Sequence, residues 1–496
     1  MKVLRVILCI FLCGALISGC DTVKLNVSNK SPLAPVTLNF LWIGDEPPSD
    51  KEILKEVAEK SNLNILLNFK WLSSNDYTKN IESMITTSST PIDGFIIGGN
   101  DDASGLSYSS LANKGELLDL SNLFLTNAPN IYKKLSKEDL ASIKVNGKIY
   151  AIPSLNLLAE SEGVQVRKDL MEKYNMSSIN NLDDLEVYLA NVKKNEKNII
   201  PLNVVPTDTE FYARLYGYVA LNDFTNLVYK LDDPKMKLIP FEDTEAFKDV
   251  IRRLTSWVDK GYLVFNNENQ SDVAAFLDGH QYIEQDSKIS SSAYPSGADA
   301  HTYLLNKTLP IVKTSPIYTM NENAGIAISI KSKNAARTLK FINWVQGNID
   351  NYNLLVHGRL GTEYTLDKGL ISYTPLPNNA STYQTWNAAP FRNLNYEIKN
   401  FMPATSLPNL SQALNVLNSK AVYAPHSGFS PDYSTIEEAL TTRSNLYNKE
   451  VAYALYQGNL KYSDIDKIRE DLKGAGTDNI VNTLQSQLDT FIINKK

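Results

Sequence analysis

Three cysteines, four histidines and fifty-five acidic residues are the groups in this 496-residue chain that could perform covalent or metal chemistry. No cysteine follows Cys20, and the histidines form no HExxH pair, so a zinc or two-metal site is poorly supplied. The chain has no GxSxG elbow and no P-loop. Carboxylates are abundant, but abundance does not define a pair held at the separation that glycoside hydrolysis needs. The sequence therefore predicts no catalytic residue, no metal site and no cofactor, and it favours binding over catalysis.

Cys20 is the residue whose position indicates a covalent modification. MKVLR supplies two positive charges, and the apolar run VILCIFLCGALI that follows is too short to span a bilayer. Ile17-Ser18-Gly19-Cys20 resembles the lipobox of bacterial lipoproteins. The resemblance implies that residues 1–19 are a signal peptide and that Cys20 carries a thioether-linked diacylglycerol with further acylation such as palmitate. The protein would then be anchored in the cell membrane on its extracytoplasmic face. An ordinary secretory signal with a chance cysteine is the alternative.

The chain that remains after the leader has a modest negative charge. Removing the two basic residues of the leader changes the net charge from −6 to −8, and no basic patch suits nucleic acid. Residues 20–35 are polar, contain two prolines and lack periodicity, which predicts a flexible tether. The length predicts two domains.

Strands and helices alternate in the first hundred residues after the tether. Residues 36–44 and 92–99 are short apolar strands, and between them lie a helix beginning near Asp50, an alternating strand and a second helix. Ser49 and Glu52 have the spacing of a capping box for the first helix. This order predicts a parallel, doubly wound sheet, in which ligands lie beyond the carboxyl ends of the strands. The loops at those ends contain Trp42, Asp45, Asn100 and Asp101. The glycines beside Asn100 lack the spacing of a phosphate-binding loop, which favours a tight turn.

Three segments in the middle of the chain resemble, in the expected order, elements of family 1 extracellular solute-binding proteins, the receptors of bacterial ATP-driven sugar importers. "GKIYAIP" followed by "EGVQVRKDLMEKY" is similar to the first crossing between the two lobes of such receptors. "VAAFLDGHQYI" is similar to the element after which the chain returns to the first lobe, and "AGIAISIKSKNAARTLKFINWV" to the one that carries it back. An apolar strand before a capped helix occurs in any α/β protein, so one such match alone indicates little. The resemblance depends on all three segments matching in the expected order.

The last third of the chain resembles a C-terminal extension, of uncharacterised role, in lipoprotein receptors of this family from Gram-positive bacteria. The segments that carry the resemblance are "YNLLVHGRLGTEY", "FRNLN", "HSGFSPD" and "LKGAGTDNIVNTLQSQLDTFI". Two positions depart from the family pattern, because Leu360 replaces an acidic residue and Arg392 replaces a glycine. If either position contacts the ligand in relatives, the specificity of those relatives cannot be assigned to this chain.

The resemblance implies a two-lobe α/β fold of the type II periplasmic-binding-protein kind, with a doubly wound sheet in each lobe and a helical C-terminal extension. The implied boundaries are 36–150 and 280–328 for the first lobe, 151–279 and 329–430 for the second, and 431–496 for the extension. It also implies a monomeric, non-enzymatic receptor that captures an oligosaccharide and docks on the transmembrane subunits of an ABC importer.

Sugar receptors hold pyranose rings between aromatic faces and bind the hydroxyls with polar side chains, so the resemblance directs attention to aromatic and acidic residues. Glu162 follows the first crossing, where family members often place a ligand-facing polar group. Tyr212 and Tyr216 share one face of a predicted helix that could line a cleft, although core packing is the more frequent use of such a pair. Trp386 lies in a predicted loop, where burial is harder than at Trp257, whose helical spacing predicts a core position. The predicted ligand contacts are Trp42, Asp45, Asn100, Asp101, Glu162, Tyr212, Tyr216 and Trp386.

Two other functions stay open. A peptide-binding receptor of the same fold would use similar aromatic and acidic side chains, and a tethered glycoside hydrolase would use a carboxylate pair. A lipoprotein adhesin would predict internal repeats or β-sandwich patterning, and the sequence has neither.

Overall fold

The computed structural model describes residues 33–47, 49–87, 89–98, 108–155, 162–203, 207, 209–222, 224–265, 272–278, 285–289, 304–310, 317–318, 325–367, 370–374, 388–393, 395–396, 402–403, 419–429 and 431–495. The strands are β1 (Val36–Ile43), β2 (Ile65–Leu72), β3 (Gly94–Ile97), β4 (Lys144–Val145), β5 (Lys148–Ile149), β6 (Ala151–Pro153), β7 (Gly163–Arg167), β8 (Ile199–Leu202), β9 (Tyr218–Ala220), β10 (Leu227–Lys230), β11 (Ile239–Pro240), β12 (Asp272–Asp278), β13 (Gln285–Ile289), β14 (Leu304–Pro310), β15 (Ile317–Tyr318), β16 (Gly325–Ala327), β17 (Tyr364–Asp367), β18 (Leu370–Tyr373), β19 (Met402–Pro403) and β20 (Val422–Tyr423). The helices are α1 (Asp50–Ser61), α2 (Ser74–Thr87), α3 (Tyr108–Asn113), α4 (Ser121–Asn127), α5 (Pro129–Tyr132), α6 (Lys137–Ser142), α7 (Lys168–Lys173), α8 (Leu182–Asn195), α9 (Thr209–Leu215), α10 (Glu245–Asp259), α11 (Ala335–Val345), α12 (Ile349–Val356), α13 (Glu437–Tyr447), α14 (Tyr453–Tyr456), α15 (Ile465–Gly474) and α16 (Thr477–Lys495).

The first lobe is built on a five-stranded sheet in the order β2-β1-β3-β16-β6. β1 pairs in parallel with both β2 and β3, which confirms the predicted alternation of strands and helices in this part of the chain. β16 is the reversed strand, since it pairs antiparallel with β3 and β6. Apolar residues of α1, α2, α11 and α12 are buried in one core with those of the strands. The carboxyl ends of β1 and β3 therefore lie at the same edge of the sheet.

α1 begins at Asp50, as the sequence predicts, but the predicted capping box is wrong. Ser49 has a left-handed backbone with φ of 61° and makes no side-chain cap. Its hydroxyl bonds the Glu363 carboxylate instead. The side chain is thus turned away from the free N–H groups of the helix, and a contact distant in sequence replaces the local one.

The second lobe contains a mixed five-stranded sheet in the order β13-β14-β7-β12-β8. β8 is parallel to β12, and the other pairs are antiparallel. Apolar residues of α8, α9 and α10 are buried against this sheet in a second core. Trp257 of α10 is fully buried in that core, as its helical spacing predicts.

The division of the chain between the lobes differs from the predicted one. The sequence places residues 280–328 in the first lobe, but β13 and β14 extend the second sheet, where β14 pairs with β7. It places residues 329–430 in the second lobe, but α11 and α12 are buried in the first core. The first crossing also comes after residue 150, because β6 still belongs to the first sheet. Strand pairs far apart in sequence decide these assignments, and local strand and helix patterns carry no information about them.

The C-terminal region is helical, as predicted, and it packs on the second lobe. The strands β9, β10 and β11 form a small antiparallel sheet, and apolar residues of α13 and α16 are buried with it in a third core. Arg443 of α13 is fully buried and donates to the Glu242 carboxylate at 2.6 Å, to the Thr225 carbonyl at 2.6 Å and to Thr477 Oγ1 at 2.9 Å. The extension is therefore tied to the second lobe by a bonded, buried charge as well as by apolar packing.

Among the described helices, none combines the length and the apolar composition that crossing a membrane requires.

Candidate functional site

The chain leaves the first lobe after β6, and the backbone at that exit is bonded to the segment 391–393. The Leu155 N–H donates to the Arg392 carbonyl at 3.0 Å, and Ser154 Oγ donates to the same oxygen at 3.2 Å. Arg392 thus meets the crossing through its backbone, while its side chain is exposed.

Trp42 lies near the carboxyl end of β1 and is fully buried. Its ring stacks on Phe391 with centroids 5.3 Å apart and 20° between the planes, and meets Phe69 edge-on at 5.3 Å. Gln346, at the end of α11, donates to the Phe391 carbonyl at 2.6 Å and accepts from Asn393 Nδ2 at 2.8 Å. Trp42 has no exposed face in this conformation. It packs against the buried side of the segment 391–393, next to the first crossing. Its predicted contact with ligand stays a prediction.

Asp45 lies beyond the end of β1, where its side chain is exposed to solvent. Its predicted contact with ligand stays a prediction. Four other predicted site residues lie outside the described residues: Cys20, Asn100, Asp101 and Trp386. Their roles stay predictions.

Glu162 opens the second lobe, one residue before β7, and is 1% exposed. Its Oε2 lies 3.5 Å from Nη2 of Arg214, which is 2% exposed, and the guanidinium Nη1 lies 3.4 Å from Glu210 Oε1. The other Glu210 oxygen accepts from the Ala220 N–H at 2.8 Å. One buried cation thus lies between two carboxylates directly after the first crossing. Charges removed from water in this way require pairing, since an unpaired one would cost several kcal/mol.

Sequence reasoning missed Arg214 and Glu210. They are four residues apart on α9, the spacing at which opposite charges meet on a helix, and that signal was present in the sequence. The contact of Arg214 with Glu162 spans 52 positions and had no local signal. The structure therefore brings Glu162 to the helix that carries Tyr212, but through a charged residue and not an aromatic one.

Tyr212 and Tyr216 do not share one surface. Tyr212 is 3% exposed and packs edge-on against Phe211 with ring centroids 5.1 Å apart, which is a core position. Tyr216 follows the end of α9 and donates from its hydroxyl to Asp249 Oδ2 at 2.5 Å. Burial, together with that bond, raises the pKa of the Tyr216 hydroxyl above its ordinary value. The predicted pair is therefore divided between the core and the contact with α10, and direct contact of either tyrosine with ligand stays a prediction.

A groove of about 700 Å³ lies elsewhere, between α1 and the edge strand β2 of the first lobe. It is lined by charged and amide side chains together with apolar ones, and it contains none of the predicted ligand contacts. Within the described ranges no three His, Cys, Asp or Glu side chains come together in a way that could hold a metal ion.

Comparison with known proteins finds similarity along nearly the whole chain. Residues 44–351 match the family model of the bacterial extracellular solute-binding proteins, and residues 425–493 match a domain of unknown function, DUF3502. A carbohydrate ABC transporter substrate-binding protein of Streptococcus pneumoniae serotype 4 is 24% identical over 478 residues, which cover 92% of this chain and 91% of that protein.

Solved structures share the fold at lower identity. The N-glycan transport solute binding protein NgtS of Streptococcus pneumoniae has a TM-score of 0.70 at 20% identity and covers 93% of this chain and 100% of its own. The same protein in complex with Man5GlcNAc has a TM-score of 0.59. The substrate-binding protein FusA of Streptococcus pneumoniae, an EF-hand mutant solved with fructo-nystose, has a TM-score of 0.60 at 17% identity and covers 92% of this chain and 100% of its own. These likenesses establish the two-lobe fold.

Proposed function

The chain belongs to the family of bacterial extracellular solute-binding proteins, and from that premise we propose that it is a lipid-anchored receptor that captures an oligosaccharide between its lobes and delivers it to an ABC importer. The observation that carries the proposal is the similarity, along nearly the whole chain, to a pneumococcal carbohydrate receptor. The separate cores of the two lobes support it, because a ligand held between two bodies can favour their closed arrangement.

Binding is coupled to closure by the free energy of contacts that only the closed state makes. A ligand that touches both lobes shifts the equilibrium toward closure by its differential affinity for the two states. The closed receptor then presents both lobes together to the membrane subunits of the importer. ATP hydrolysis is the task of a partner protein, since this sequence has no P-loop.

Glu162 is our leading candidate for a direct contact. It follows the first crossing, and its buried carboxylate is paired with the Arg214 guanidinium at 3.5 Å. We retain Asp45, Asn100, Asp101 and Trp386 as proposed direct contacts from their positions in the chain. For Trp42, Tyr212 and Tyr216, which are buried or bonded elsewhere, we propose that they shape the walls from behind.

The carbohydrate is bound and released without cleavage in this proposal. Family membership supports this, because receptors of ABC importers bind and hand over their cargo. Anchorage through Cys20 on the extracytoplasmic face of the cell membrane, and action as a monomer, complete the proposal. Two or more acyl chains would hold the protein durably at the membrane, because each buried methylene contributes roughly 0.8 kcal/mol.

A thermal-shift screen of the protein against mono- and oligosaccharides including Man5GlcNAc, short peptides and nucleotides tests the proposal. A ligand at a hundred times its dissociation constant adds about 2.7 kcal/mol of apparent stability, which raises the melting temperature by several degrees. We expect a saturable shift with a glycan that is recovered intact. Recovery of a cleaved glycan would establish a hydrolase instead, and a shift with peptides alone would keep the fold and replace the substrate class.

A further inference from the structure

The chain crosses between the lobes a last time within residues 423–429, which we call the crossing loop. Tyr423 packs against the first core, and the next residue, Ala424, is buried in the third core, which belongs to the second lobe and the C-terminal region. β20, which contains Tyr423, also pairs with β15, and Ile317 of β15 is buried in that third core. Two crossing segments therefore run side by side at this point.

On the first lobe, the crossing loop is bonded to the start of α6. Ser136 and Asp139 form the capping box of that helix: Ser136 Oγ accepts from the Asp139 N–H at 2.9 Å, and Asp139 Oδ2 accepts from the Ser136 N–H at 2.6 Å. The Tyr423 hydroxyl donates to the other Asp139 oxygen at 2.5 Å and lies 3.3 Å from Ser136 Oγ. Tyr423 is thus built into the N-terminal cap of α6.

Gly428 lies against the other end of the same helix. A Cβ atom at this position would lie 2.9 Å from the Ala141 carbonyl oxygen and 3.3 Å from Ser142 Cα. The backbone φ of Gly428 is +87°, a conformation that side chains with a Cβ rarely adopt. Only a glycine allows the loop and the helix to approach this closely without displacement. The crossing loop therefore contacts α6 directly. The residues next to α6 belong to the first core, and those next to the loop belong to the third core.

On the second lobe, the loop is held by His426. Its Nδ1 lies 2.7 Å from the hydroxyl of Tyr229, a fully buried residue of β10, and the two rings meet edge-on with centroids 5.6 Å apart. Phe429 packs on Phe491 of α16 with centroids 5.6 Å apart. The loop is therefore fastened to the β9–β11 sheet and to the C-terminal helices.

From these contacts we propose that the crossing loop sets the resting angle between the two lobes, and that the C-terminal region is the brace that holds the loop in place. His426 and Phe429 fix the loop to one body, while Gly428 and Tyr423 fix it to α6 of the other. Any change in lobe angle must therefore rearrange this contact. The proposal assigns a positioning role to a region of unknown function, and it does not depend on the chemical nature of the ligand.

Distance measurements between spin labels, in the absence of any ligand, test this proposal. The parent protein carries serine in place of its three cysteines, and labels are attached through Lys79→Cys on α2 of the first lobe and Lys194→Cys on α8 of the second, both exposed. Gly428→Ala should shift the mean distance between the labels, because the added methyl group displaces α6. Tyr423→Phe should broaden the distance distribution, because it keeps the ring and loses the bond to Asp139.

Tyr433→Phe is the matched control. The Tyr433 hydroxyl accepts from Asn222 Nδ2 at 2.9 Å, a bond between the C-terminal region and the second lobe that does not involve α6. We expect this variant to keep the parent distribution even if its melting temperature falls. Parent distributions in both Gly428→Ala and Tyr423→Phe would overturn the proposal, and so would an equal change in Tyr433→Phe. If Gly428→Ala does not fold, as circular dichroism will show, Tyr423→Phe decides alone.

Discussion

Glu162 and Arg214 form a buried ion pair, with 3.5 Å between carboxylate oxygen and guanidinium nitrogen, at the point where the chain enters the second lobe. Both side chains are nearly inaccessible, so their charges are compensated within the protein. A carboxylate held in this way accepts hydrogen bonds from hydroxyl groups without having to reorganise. Because Glu162 is 1% exposed in this conformation, its proposed contact with a polyhydroxylated ligand requires a movement of the lobes that exposes the carboxylate.

Glu162→Gln should weaken binding of the carbohydrate that the screen identifies. A hydrogen bond to a charged acceptor contributes roughly 1.5–3 kcal/mol, so the dissociation constant should rise about tenfold or more. Isothermal titration calorimetry measures the change. Glu186→Gln is the matched control, because Glu186 also faces an arginine in the second lobe, Arg253, but lies on α8 away from the crossing. Equal effects of the two variants would remove Glu162 from the proposed contacts.

Trp42→Ala and Trp386→Ala should act on different quantities. Trp42 fills a core position, so its truncation should lower the free energy of unfolding by about 3–5 kcal/mol, as measured in urea. Trp386→Ala should leave the unfolding free energy nearly unchanged and raise the dissociation constant, because an aromatic face that stacks on a sugar ring would be lost. A Trp386→Ala protein that binds as tightly as the parent would exclude this residue from the site.

The contribution of the Asp50 carboxyl group to the free energy of unfolding should decrease as pH rises from 4 to 6. Burial raises the pKa of its carboxyl group from 3.8 to about 6, an effect that a hydrogen bond from Trp71 only partly offsets. Between these two values the folded state holds a proton that the unfolded state has lost, so stability decreases with increasing pH. Asp50→Asn should therefore match the parent's melting temperature near pH 4 and exceed it at pH 7.

Glu59→Gln, an exposed change on the same helix, controls for the loss of one negative charge. A melting-temperature difference between Asp50→Asn and the parent that stays constant from pH 4 to pH 7 would show that the Asp50 carboxyl does not titrate in this window.

Arg443→Met should weaken the attachment of the C-terminal region to the second lobe and lower the free energy of unfolding. It removes a buried cation and leaves Glu242 without its partner, in a site where burial raises the pKa of the Glu242 carboxyl. Breaking such a pair costs about 3–5 kcal/mol. Arg469→Met is the control, because its pair with Asp243 is partly exposed and should contribute about 0–1 kcal/mol. Urea unfolding of both variants compares the two costs, and equal losses would contradict the account.

Local patterns in the sequence predicted the elements of the first lobe well. β1, α1, β2, α2 and β3 follow from alternating and helical spacing of apolar residues, and so does the burial of Trp257. The carboxyl end of β1 was also predicted as the edge that carries Trp42 and Asp45. What the pattern at β1 could not distinguish is a tryptophan facing a ligand from one stacked on Phe391, because both fit the end of an apolar strand.

The errors of prediction have a common physical cause in contacts between distant residues. Ser49 satisfies the local spacing of a capping box, yet it bonds Glu363, more than 300 positions away. Pairing with β7 places β14 in the second sheet, and pairing with β3 places β16 in the first, although both partners are distant in sequence. Arg214 joins Glu162 in the same non-local way. Spacing along the chain predicts elements and leaves their partners undetermined.

Titration of the spin-labelled parent protein with the carbohydrate from the screen tests the central claim most directly. Labels on α2 and α8 report the distance between the lobes, and mass spectrometry of the recovered carbohydrate reports whether it has been cleaved. The account predicts a saturable change of the interlobe distance to a shorter value, with the carbohydrate recovered intact. An unchanged distance at saturating carbohydrate, or recovery of cleavage products, would contradict it.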